Sequence, residues 1–369
     1  MPMSTDLGTT ATLAALTTLG VGGPARSFVE TSTEAELIDA VRAADADGTP
    51  LLVVGGGSNL LVGDAGFDGL VVRDVRTGVE VPDHSACAGV TYTVPAGTPW
   101  DEVVDLATST RLYGIEALSG IPGSTGATPV QNVGAYGQEV AQTIATVRVW
   151  DRGRGKVRTL PVVDLRFGYR TSLLKRSTLA QPDPRDPADE LAPWFPTPRY
   201  VVLDVTFQLR QGTLSAPIAY AELARTLGVE VGERAPLLEV RAAVLELRGR
   251  KGMVLDPSDA DTRSAGSFFT NPVLTPDEAA SLPADAPRYP APDGVKTSAA
   301  WLIEHAGFAK GHGLPGPAAL STKHTLALTN RGGATAADLL ALAREIRTGV
   351  HTAFGVTLVP EPVLVNAAL

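Results

Sequence analysis

The strongest constraint on the fold is a turn of three consecutive glycines between two apolar runs. Residues 52–62 read Leu-Val-Val-Gly-Gly-Gly-Ser-Asn-Leu-Leu-Val. Glycine lacks a Cβ atom, so its backbone reaches positive φ and its amide N–H group stays uncovered. Successive uncovered N–H groups form a concave nest that binds anions, most often phosphate. The alternative is a plain tight turn that joins two strands, or a strand and a helix.

Length, charge and cysteine content exclude several classes of protein. At 369 residues the chain is too long for one typical core, so we expect two or three domains. The net charge of -9 provides no basic surface for nucleic acid. Cys87 is the single cysteine, which excludes intramolecular disulfides and cysteine-rich metal sites, and we predict no metal. No apolar run reaches the ~18 residues of a membrane span, so we expect a soluble, cytoplasmic protein without membrane insertion. No feature indicates an obligate protein partner.

Helix and strand signals alternate in the N-terminal half, which favours an α+β or α/β domain. A capping box of Thr33 and Glu36 predicts the start of a helix over 33–47, and Gly48 ends it. Residues 98–112 predict a second helix with proline in its first turn. Strands are predicted at 51–54, 70–73 and 90–95.

The C-terminal part has its own secondary structure, which is consistent with a second domain. Six prolines at 177–199 predict an exposed loop or insertion, and a second proline-rich segment spans 276–292. We further predict strands at 200–208 and 356–366, helices at 236–250, 297–306 and 335–354, and a long loop at 255–265.

A second glycine-rich segment, residues 118–137, is too apolar for a simple solvent-exposed loop. Bare backbone at its glycines and polar side chains at Gln131 and Asn132 suit a large planar ligand that lies on the main chain. A buried loop packed on a helix is the alternative. Neither cluster has the G-x-G-x-x-G or G-x-x-x-x-G-K-[ST] spacing, which disfavours a Rossmann dehydrogenase and a P-loop NTPase. A phosphate-bearing cofactor bound by two separate glycine-rich segments remains.

The segments 55–61, 120–127 and 131–137 resemble the FAD-binding domain of the vanillyl-alcohol-oxidase (PCMH) type. Within that group the chain closely resembles the UDP-N-acetylenolpyruvoylglucosamine reductases (MurB). The resemblance implies an α+β fold. A two-lobed FAD-binding domain would span 20–212, with lobes at 20–75 and 76–212. A C-terminal α+β substrate-binding domain would span 213–369, and its last strand is a candidate to return to the first lobe.

The resemblance implies non-covalently bound FAD, with its pyrophosphate on the first glycine turn and its flavin along the second segment. The residues so implied are Gly55, Gly56, Gly57, Ser58, Asn59, Leu60, Ile121, Pro122, Gly123, Gly126, Ala127, Gln131, Asn132, Gly134 and Ala135.

The segment Arg166-Phe167-Gly168-Tyr169-Arg170-Thr171-Ser172 carries the first candidate catalytic residue. Arginine offers a rigid, permanently charged fork for a carboxylate or phosphate. A surface ion pair is the ordinary alternative for an arginine in a turn. In the family that the chain resembles, the arginine matching Arg170 is catalytic, and we include Tyr169 among the substrate-binding residues.

The segment Ser264-Ala265-Gly266-Ser267-Phe268-Phe269-Thr270-Asn271-Pro272 carries the second. A turn before a buried strand is the alternative. No neighbouring His–Asp pair or G-x-S-x-G motif indicates a hydrolase nucleophile. The resemblance makes Ser267 the proton donor. A hydroxyl is too weak an acid alone, so it must be tuned or act through a relay. Asn271 is a candidate substrate partner.

Glu361 lies between Pro360 and Pro362, whose rings fix the backbone and remove competing N–H donors. A lone glutamate is normally solvated, but the resemblance makes this one catalytic. Three weaker positions join the substrate-binding set. Tyr220 matches a tyrosine that closes over the nucleotide diphosphate in the tyrosine-loop branch (type I), and Lys251 matches a lysine near that diphosphate. His305 stands where some relatives carry glutamine.

The resemblance implies reduction of the enolpyruvyl ether of UDP-N-acetylglucosamine enolpyruvate to UDP-N-acetylmuramate, with NADPH as the reductant of FAD. Negative charge that builds on the substrate needs electrostatic stabilisation in a dry pocket. Arg170 and Glu361 are suited to polarise the carboxylate if Glu361 is protonated, and burial would raise its pKa. Ser267 would then protonate the carbanionic carbon.

Two other functions stay open. An FAD-dependent oxidase or dehydrogenase of the same cofactor fold could act on an alcohol or a lactone. Such enzymes often tether flavin through histidine, yet the five histidines lie outside both glycine-rich segments. A non-catalytic flavin- or nucleotide-binding module would have no reason to keep Arg170, Ser267 and Glu361 together.

Overall fold

A computed structural model describes residues 12–85, 89–178 and 194–369. Cys87 and most of the proline-rich segment 177–199 lie outside the described residues. The described chain forms two compact units. The first unit comprises Ala25–Gly56 and Asp68–Gly249, and the second comprises 12–24, Gly57–Phe67 and Arg250–Leu369. The domain limits expected from the sequence stay a prediction.

The strands in chain order are β1 (Ala25–Thr31), β2 (Leu51–Val54), β3 (Leu60–Val62), β4 (Phe67–Asp74), β5 (Glu80–Ser85), β6 (Gly89–Pro95), β7 (Leu112–Tyr113), β8 (Gly134–Ala135), β9 (Gln138–Glu139), β10 (Ile144–Asp151), β11 (Lys156–Pro161), β12 (Tyr200–Gln211), β13 (Val273–Leu274), β14 (Tyr289–Ala291), β15 (Gly294–Lys296), β16 (Ala318–Leu320), β17 (Leu328–Asn330) and β18 (Val363–Val365). The helices are α1 (Glu34–Asp47), α2 (Trp100–Ser109), α3 (Val162–Leu165), α4 (Leu173–Arg176), α5 (Ala221–Leu227), α6 (Leu237–Arg250), α7 (Pro276–Ser281), α8 (Ala299–His305) and α9 (Ala336–Phe354). Every helix in the described parts of the chain is too short or too polar to cross a lipid bilayer.

A small sheet in the order β1-β4-β2 leads into the first glycine turn, of which Gly55 and Gly56 belong to the first unit. Strand β2 is parallel to β4 and ends at Val54, directly before the glycines. Helix α1 begins at the predicted capping box of Thr33 and Glu36 and ends at Gly48, whose φ of 67° is left-handed. The predictions of this helix and of strand β2 are confirmed.

A larger antiparallel sheet in the order β11-β10-β12-β6-β5 forms the main core of the first unit. Helix α2 packs its buried Trp100 against Phe207, with ring centroids 5.6 Å apart. The helix predicted over 98–112 is shorter than expected. Pro99 is its N-cap residue, because a ψ of 130° keeps that proline extended.

The second unit is built around helix α9 and the apolar residues that pack on it, including Phe268, Phe269 and Leu302. Strand β18 pairs in parallel with β3, which brings the C-terminal segment beside the residues that follow the glycine turn. The N-terminus of α9 is held by Asp64, whose carboxylate accepts from the N–H groups of Ala336 (2.8 Å) and Ala337 (3.0 Å).

One prediction at the C-terminal end needs correction. The strand predicted over 356–366 is confined to Val363–Val365, because Pro360 and Pro362 have no N–H group to donate to a neighbouring strand. The proline-rich segment 276–292 is partly regular, since it contains helix α7 and strand β14. Proline at the first position of α7 starts that helix instead of preventing it.

Candidate active site

The two glycine-rich segments meet inside the first unit. A Cβ atom built on Gly55 would lie 2.1 Å from Ser124 Oγ, and one built on Gly56 would lie 2.6 Å from Gly123 Cα. Real Cβ atoms do not make contacts this short. The Ser124 hydroxyl can rotate away from a Cβ at Gly55, but the Gly123 backbone cannot, so Gly56 is the position where the approach of the two segments requires glycine.

Backbone hydrogen bonds fix the second segment to the turn between β6 and α2. The Gly126 N–H donates to Ala96 O (2.9 Å), and the Thr125 N–H donates to Thr98 O (2.8 Å). The Thr125 hydroxyl also donates to Thr98 O (2.9 Å). This segment is therefore rigid although it is rich in glycine. Of the other residues predicted to bind the cofactor here, Ile121, Pro122 and Ala135 are half-buried and Ala127 is exposed.

Asp101, in the first turn of α2, holds the start of this segment and was not found by sequence reasoning. Its carboxylate accepts from the Gly120 N–H (2.6 Å) and from both terminal nitrogens of Arg241 in α6 (2.8 and 2.9 Å). Burial raises the pKa of Asp101, but the bonds from Arg241 and Gly120 outweigh it and leave the pKa below its usual value. The two residues are 19 positions apart, and no local sequence pattern indicates that this aspartate contacts that glycine.

Arg170 lies beside the end of the second glycine-rich segment. Its guanidinium donates to Gly134 O (3.0 Å) and Asn132 O (3.4 Å). The Arg170 carbonyl accepts from Lys175 Nζ (3.1 Å), which also donates to Gln131 Oε1 (3.3 Å). Four of the residues predicted from the sequence are thus brought together in the first unit.

Two tyrosines of the substrate-binding prediction also lie in this unit. Tyr169 is exposed, and the guanidinium carbon of Arg170 lies 5.7 Å from its ring centroid. Tyr220 is exposed too, and its ring meets Tyr136 edge to face at 5.6 Å. Burial raises the pKa of Tyr136 to about 12, so its phenol stays protonated at neutral pH.

The rest of the first glycine turn belongs to the second unit. Gly57 has a φ of 61°, and a Cβ there would lie 1.7 Å from Leu16 O, so the position requires glycine. Asn59 accepts at its carbonyl from the Val363 N–H (2.9 Å) and donates from Nδ2 to Glu361 O (3.4 Å). Ser58 and Leu60 are half-buried.

The segments that carry Ser267 and Glu361 lie side by side in this second unit. The Glu361 N–H donates to Phe268 O (2.8 Å), and Phe269 pairs with Pro360 in an isolated bridge. Ser267 follows Gly266, whose φ of 71° turns the chain sharply, and both Ser267 and Glu361 are half-buried. Two residues 94 positions apart in sequence are therefore neighbouring parts of one local structure.

The other predicted residues of the second unit lie elsewhere in it. Asn271 Oδ1 accepts from the Ala299 N–H (2.9 Å) at the start of α8, so its side-chain carbonyl stabilises that helix. His305 is exposed at the end of α8, where its ring stacks on Trp301 with centroids 3.8 Å apart. Lys251 is half-buried just after α6. Among the described residues, no group of three or more His, Cys, Asp or Glu side chains is arranged to hold a metal ion.

Comparison with known proteins assigns the chain to a family. Two family models match it, an FAD binding domain over residues 25–161 and the C-terminal domain of UDP-N-acetylenolpyruvoylglucosamine reductase over residues 256–365. The UDP-N-acetylenolpyruvoylglucosamine reductase of Thermobifida fusca is 52% identical across 100% of both chains. That of Saccharopolyspora erythraea is 54% identical, over 97% of this chain and 95% of its own. The chain belongs to the UDP-N-acetylenolpyruvoylglucosamine reductase (MurB) family.

A solved structure of the MurB family has the same overall fold. The crystal structure of MurB from Thermus caldophilus matches with a TM-score of 0.62 at 26% identity, over 97% of this chain and 98% of that one. The expected fold class is confirmed, namely an α+β chain with an FAD-binding domain and a separate C-terminal domain. The assignment to the tyrosine-loop branch of the MurB family stays a prediction.

The residues of this MurB family member fit FAD, which is the cofactor that gives the matched N-terminal domain its name. Both glycine-rich segments lie within residues 25–161. Their close approach requires bare backbone at Gly56, and the neighbouring glycines Gly55 and Gly57 likewise carry no side chain, so the turn offers amide groups of the kind that bind a pyrophosphate.

Proposed function

We propose that the protein is an NADPH-dependent flavoenzyme that reduces the enolpyruvyl ether of UDP-N-acetylglucosamine enolpyruvate to UDP-N-acetylmuramate. It would act in the cytoplasm, in the synthesis of peptidoglycan precursors. The enzyme name UDP-N-acetylmuramate dehydrogenase describes this reaction in the opposite direction. The proposal is carried by membership of the reductase family over the full length of the chain, with 52% identity to a named relative. The meeting of the two glycine-rich segments supports it independently.

The first glycine turn would hold the FAD pyrophosphate through the amide groups of Gly55, Gly56 and Gly57. The second segment would lie along the flavin, with Gln131 as a polar contact. When bound, FAD would supply the hydride chemistry that links oxidation of NADPH to reduction of the enolpyruvyl group at its terminal carbon. The segment from Gly120 to Gly126 would keep that flavin fixed, because hydrogen bonds tie it to α2 and to the end of β6.

Arg170 would stabilise the negative charge that develops on the substrate carboxylate during reduction. Its guanidinium is held by two backbone carbonyls, so it needs little reorganisation when that charge appears. Glu361 would assist by polarising the same carboxylate, and its backbone is fixed by the bond to Phe268. Ser267 would donate the proton that completes the reduced carbon.

Five residues would bind the substrate in this proposal, namely Tyr169, Tyr220, Lys251, Asn271 and His305. The two tyrosines are exposed and therefore accessible to a nucleotide sugar. Asn271 would contribute its Nδ2 group, since its Oδ1 atom stabilises α8.

Anaerobic absorbance spectroscopy of the purified protein tests the whole proposal. We expect a flavin spectrum that NADPH bleaches and that UDP-N-acetylglucosamine enolpyruvate then restores without oxygen. A flavin that the enolpyruvyl sugar nucleotide fails to reoxidise would contradict the proposal. Rapid oxygen consumption with an alcohol or lactone would instead indicate an oxidase of the same cofactor fold.

A further inference from the structure

The side chain of Asn132 is used by the protein itself rather than left for a ligand. The residue is 1% exposed. Its Nδ2 group donates to Glu139 Oε2 (2.7 Å) and to Gly168 O (3.2 Å), and its Oδ1 atom accepts from the Ala141 N–H (3.2 Å). A side-chain amide offers two donors and one acceptor oxygen, so both donors and the oxygen are already engaged. Asn132 therefore connects the stretch 139–141 to the turn that contains Gly168.

Those connections converge on Arg170. The Arg170 guanidinium donates to the carbonyl of Asn132 itself and to that of Gly134. The Arg170 backbone has a φ of 52°, in the left-handed region, within a turn in which Gly168 and Thr171 pair with each other. The Gly168 carbonyl of that turn is the second acceptor of the Asn132 amide. Asn132 thus holds the arginine side chain and the turn that presents it.

Glu139 contacts both residues whose carbonyls hold Arg170, and it lies in β9, the strand that pairs with β8 in a short hairpin. Strands β8 and β9 pair Gly134 directly with Glu139. A Cβ on Gly134 would lie 2.8 Å from Glu139 Cγ, so the two residues are in close contact. One carboxylate oxygen of Glu139 accepts the 2.7 Å bond from Asn132. Both carbonyls that hold Arg170 therefore belong to residues that Glu139 contacts.

We propose that Glu139 is a positioning residue for Arg170, acting through the Asn132 side chain and the Gly134 backbone. The proposal rests on the proposed function, in which Arg170 stabilises developing charge on the substrate. Without the Glu139 carboxylate the Asn132 amide loses its shortest bond, and the guanidinium loses a fixed orientation. A displacement of about 1 Å at a reacting group costs on the order of 100-fold in rate. Reduction of the flavin by NADPH does not need that charge stabilisation, so it should be spared.

The test separates the two half-reactions by stopped-flow absorbance of the flavin. In Glu139→Ala we expect reoxidation by UDP-N-acetylglucosamine enolpyruvate to slow by roughly 10- to 100-fold. Reduction by NADPH and the affinity for FAD should change by less than about threefold. Gln142→Ala is the matched control, because the exposed Gln142 side chain accepts from the Glu139 N–H (3.2 Å) and so bonds the backbone of Glu139, whereas Asn132 bonds its carboxylate. This control should reoxidise at the wild-type rate.

Two further variants keep the proposal falsifiable if Glu139→Ala does not fold. Glu139→Gln retains an acceptor oxygen for Asn132 and should stay within about threefold of wild type. Asn132→Asp keeps the shape but removes the donor, and it should show the same selective loss as Glu139→Ala. Wild-type reoxidation in both Glu139→Ala and Asn132→Asp would overturn the proposal, as would equal losses in both half-reactions and in FAD affinity. If the wild-type flavin is itself not reoxidised, the proposed function fails first.

Discussion

A single methyl group has a larger structural consequence at Gly56, which faces backbone, than at Gly55, which faces a serine hydroxyl. Each glycine faces a backbone or side-chain atom of the second glycine-rich segment at less than 3 Å from the place a Cβ would occupy. Neither position is strained in φ, so the requirement for glycine is one of space between two segments. Because the requirement is one of space, a larger residue at Gly56 should push the two glycine-rich segments apart without unfolding the small sheet.

Gly56→Ala should therefore lose FAD while the protein stays folded. The new Cβ would lie 2.6 Å from Gly123 Cα, and overpacking of this kind costs about 1–3 kcal/mol. We expect FAD affinity to fall at least about tenfold, since ~1.4 kcal/mol corresponds to a factor of ten. Gly249→Ala is the control, because a Cβ at this helical position meets no atom within 4 Å. Fluorescence titration with FAD measures both variants. Equal affinity in Gly56→Ala and wild type would contradict the prediction.

Ser267→Ala should block one half-reaction and spare the other. A positioned proton donor contributes about 100- to 10,000-fold, so reoxidation by the enolpyruvyl substrate should slow by that factor. Reduction by NADPH should proceed at the wild-type rate. Thr270→Val is the control. It removes a hydroxyl three residues after Ser267 and nearly keeps the shape of the side chain, and it should leave both rates unchanged. Reoxidation of Ser267→Ala at the wild-type rate would remove the serine from the mechanism.

At the scale of elements, the sequence predicts well where local chemistry decides. The capping box of Thr33 and Glu36 and the left-handed Gly48 place helix α1 correctly, because both signals act within a few residues of the helix ends. The predicted strand 356–366 is too long, because Val356 and Leu358 are apolar for packing in the second core and not for pairing. An apolar sequence predicts that a residue is buried, but it does not show whether the backbone of that residue is hydrogen-bonded to a neighbouring strand.

Local sequence also predicts only part of the candidate site. The glycine-rich segments and the segments around Arg170, Ser267 and Glu361 are visible as unusual local sequences. Asp101 and Glu139 are not, because an acidic residue near a helix start or in a short hairpin is ordinary. Their roles arise from hydrogen bonds to residues brought near by the fold, so the structure was needed to find them.

Asp101→Asn tests the ion pair between α2 and α6, which lies beside the start of the second glycine-rich segment. Asparagine keeps an acceptor for the Gly120 N–H but loses the charge that pairs with Arg241. We expect the free energy of unfolding to fall by about 1 kcal/mol at neutral pH, a modest value because the pair is partly exposed. Asp105→Asn is the control, since that carboxylate pairs with the same arginine at 3.0 Å but is more exposed, with 66% of its side chain accessible against 39% for Asp101.

The pH dependence of this difference has a defined sign. The pKa of Asp101 is lowered in the folded state, so its contribution is fully present above the unfolded value near 3.8. It is lost as the pH falls through the lower folded-state pKa. Urea unfolding at several pH values should therefore show a wild-type advantage that is constant above about pH 5 and that disappears in stronger acid. An advantage that persists unchanged at low pH would assign the effect to packing.

At the scale of the whole molecule, each unit has a hydrophobic core of its own, one around the larger antiparallel sheet and one around α9. The residues proposed to act in catalysis and cofactor binding are not among the buried residues of these two cores. They lie in glycine-rich or proline-flanked segments fixed by backbone hydrogen bonds, as with Gly126, Glu361 and the Arg170 turn. Such segments retain exposed amide and carbonyl groups, and a bound cofactor that engages them adds stability that the cores do not supply.

Removal of FAD should accordingly lower the thermal stability of the protein. A ligand that binds the folded state at ~100 times its Kd stabilises it by about 2.7 kcal/mol, so adding FAD to apoprotein should raise Tm by several degrees, with a dependence on FAD concentration. Riboflavin, which lacks the pyrophosphate, should raise Tm much less, because the amide groups of the Gly55–Gly57 turn would have no anion to bind. Gly56→Ala should shrink the FAD-dependent shift, beyond the fall of a few degrees in the Tm of the apoprotein that overpacking itself causes. Differential scanning calorimetry measures all three, and an equal effect of riboflavin and FAD would show that the glycine turn does not bind the pyrophosphate.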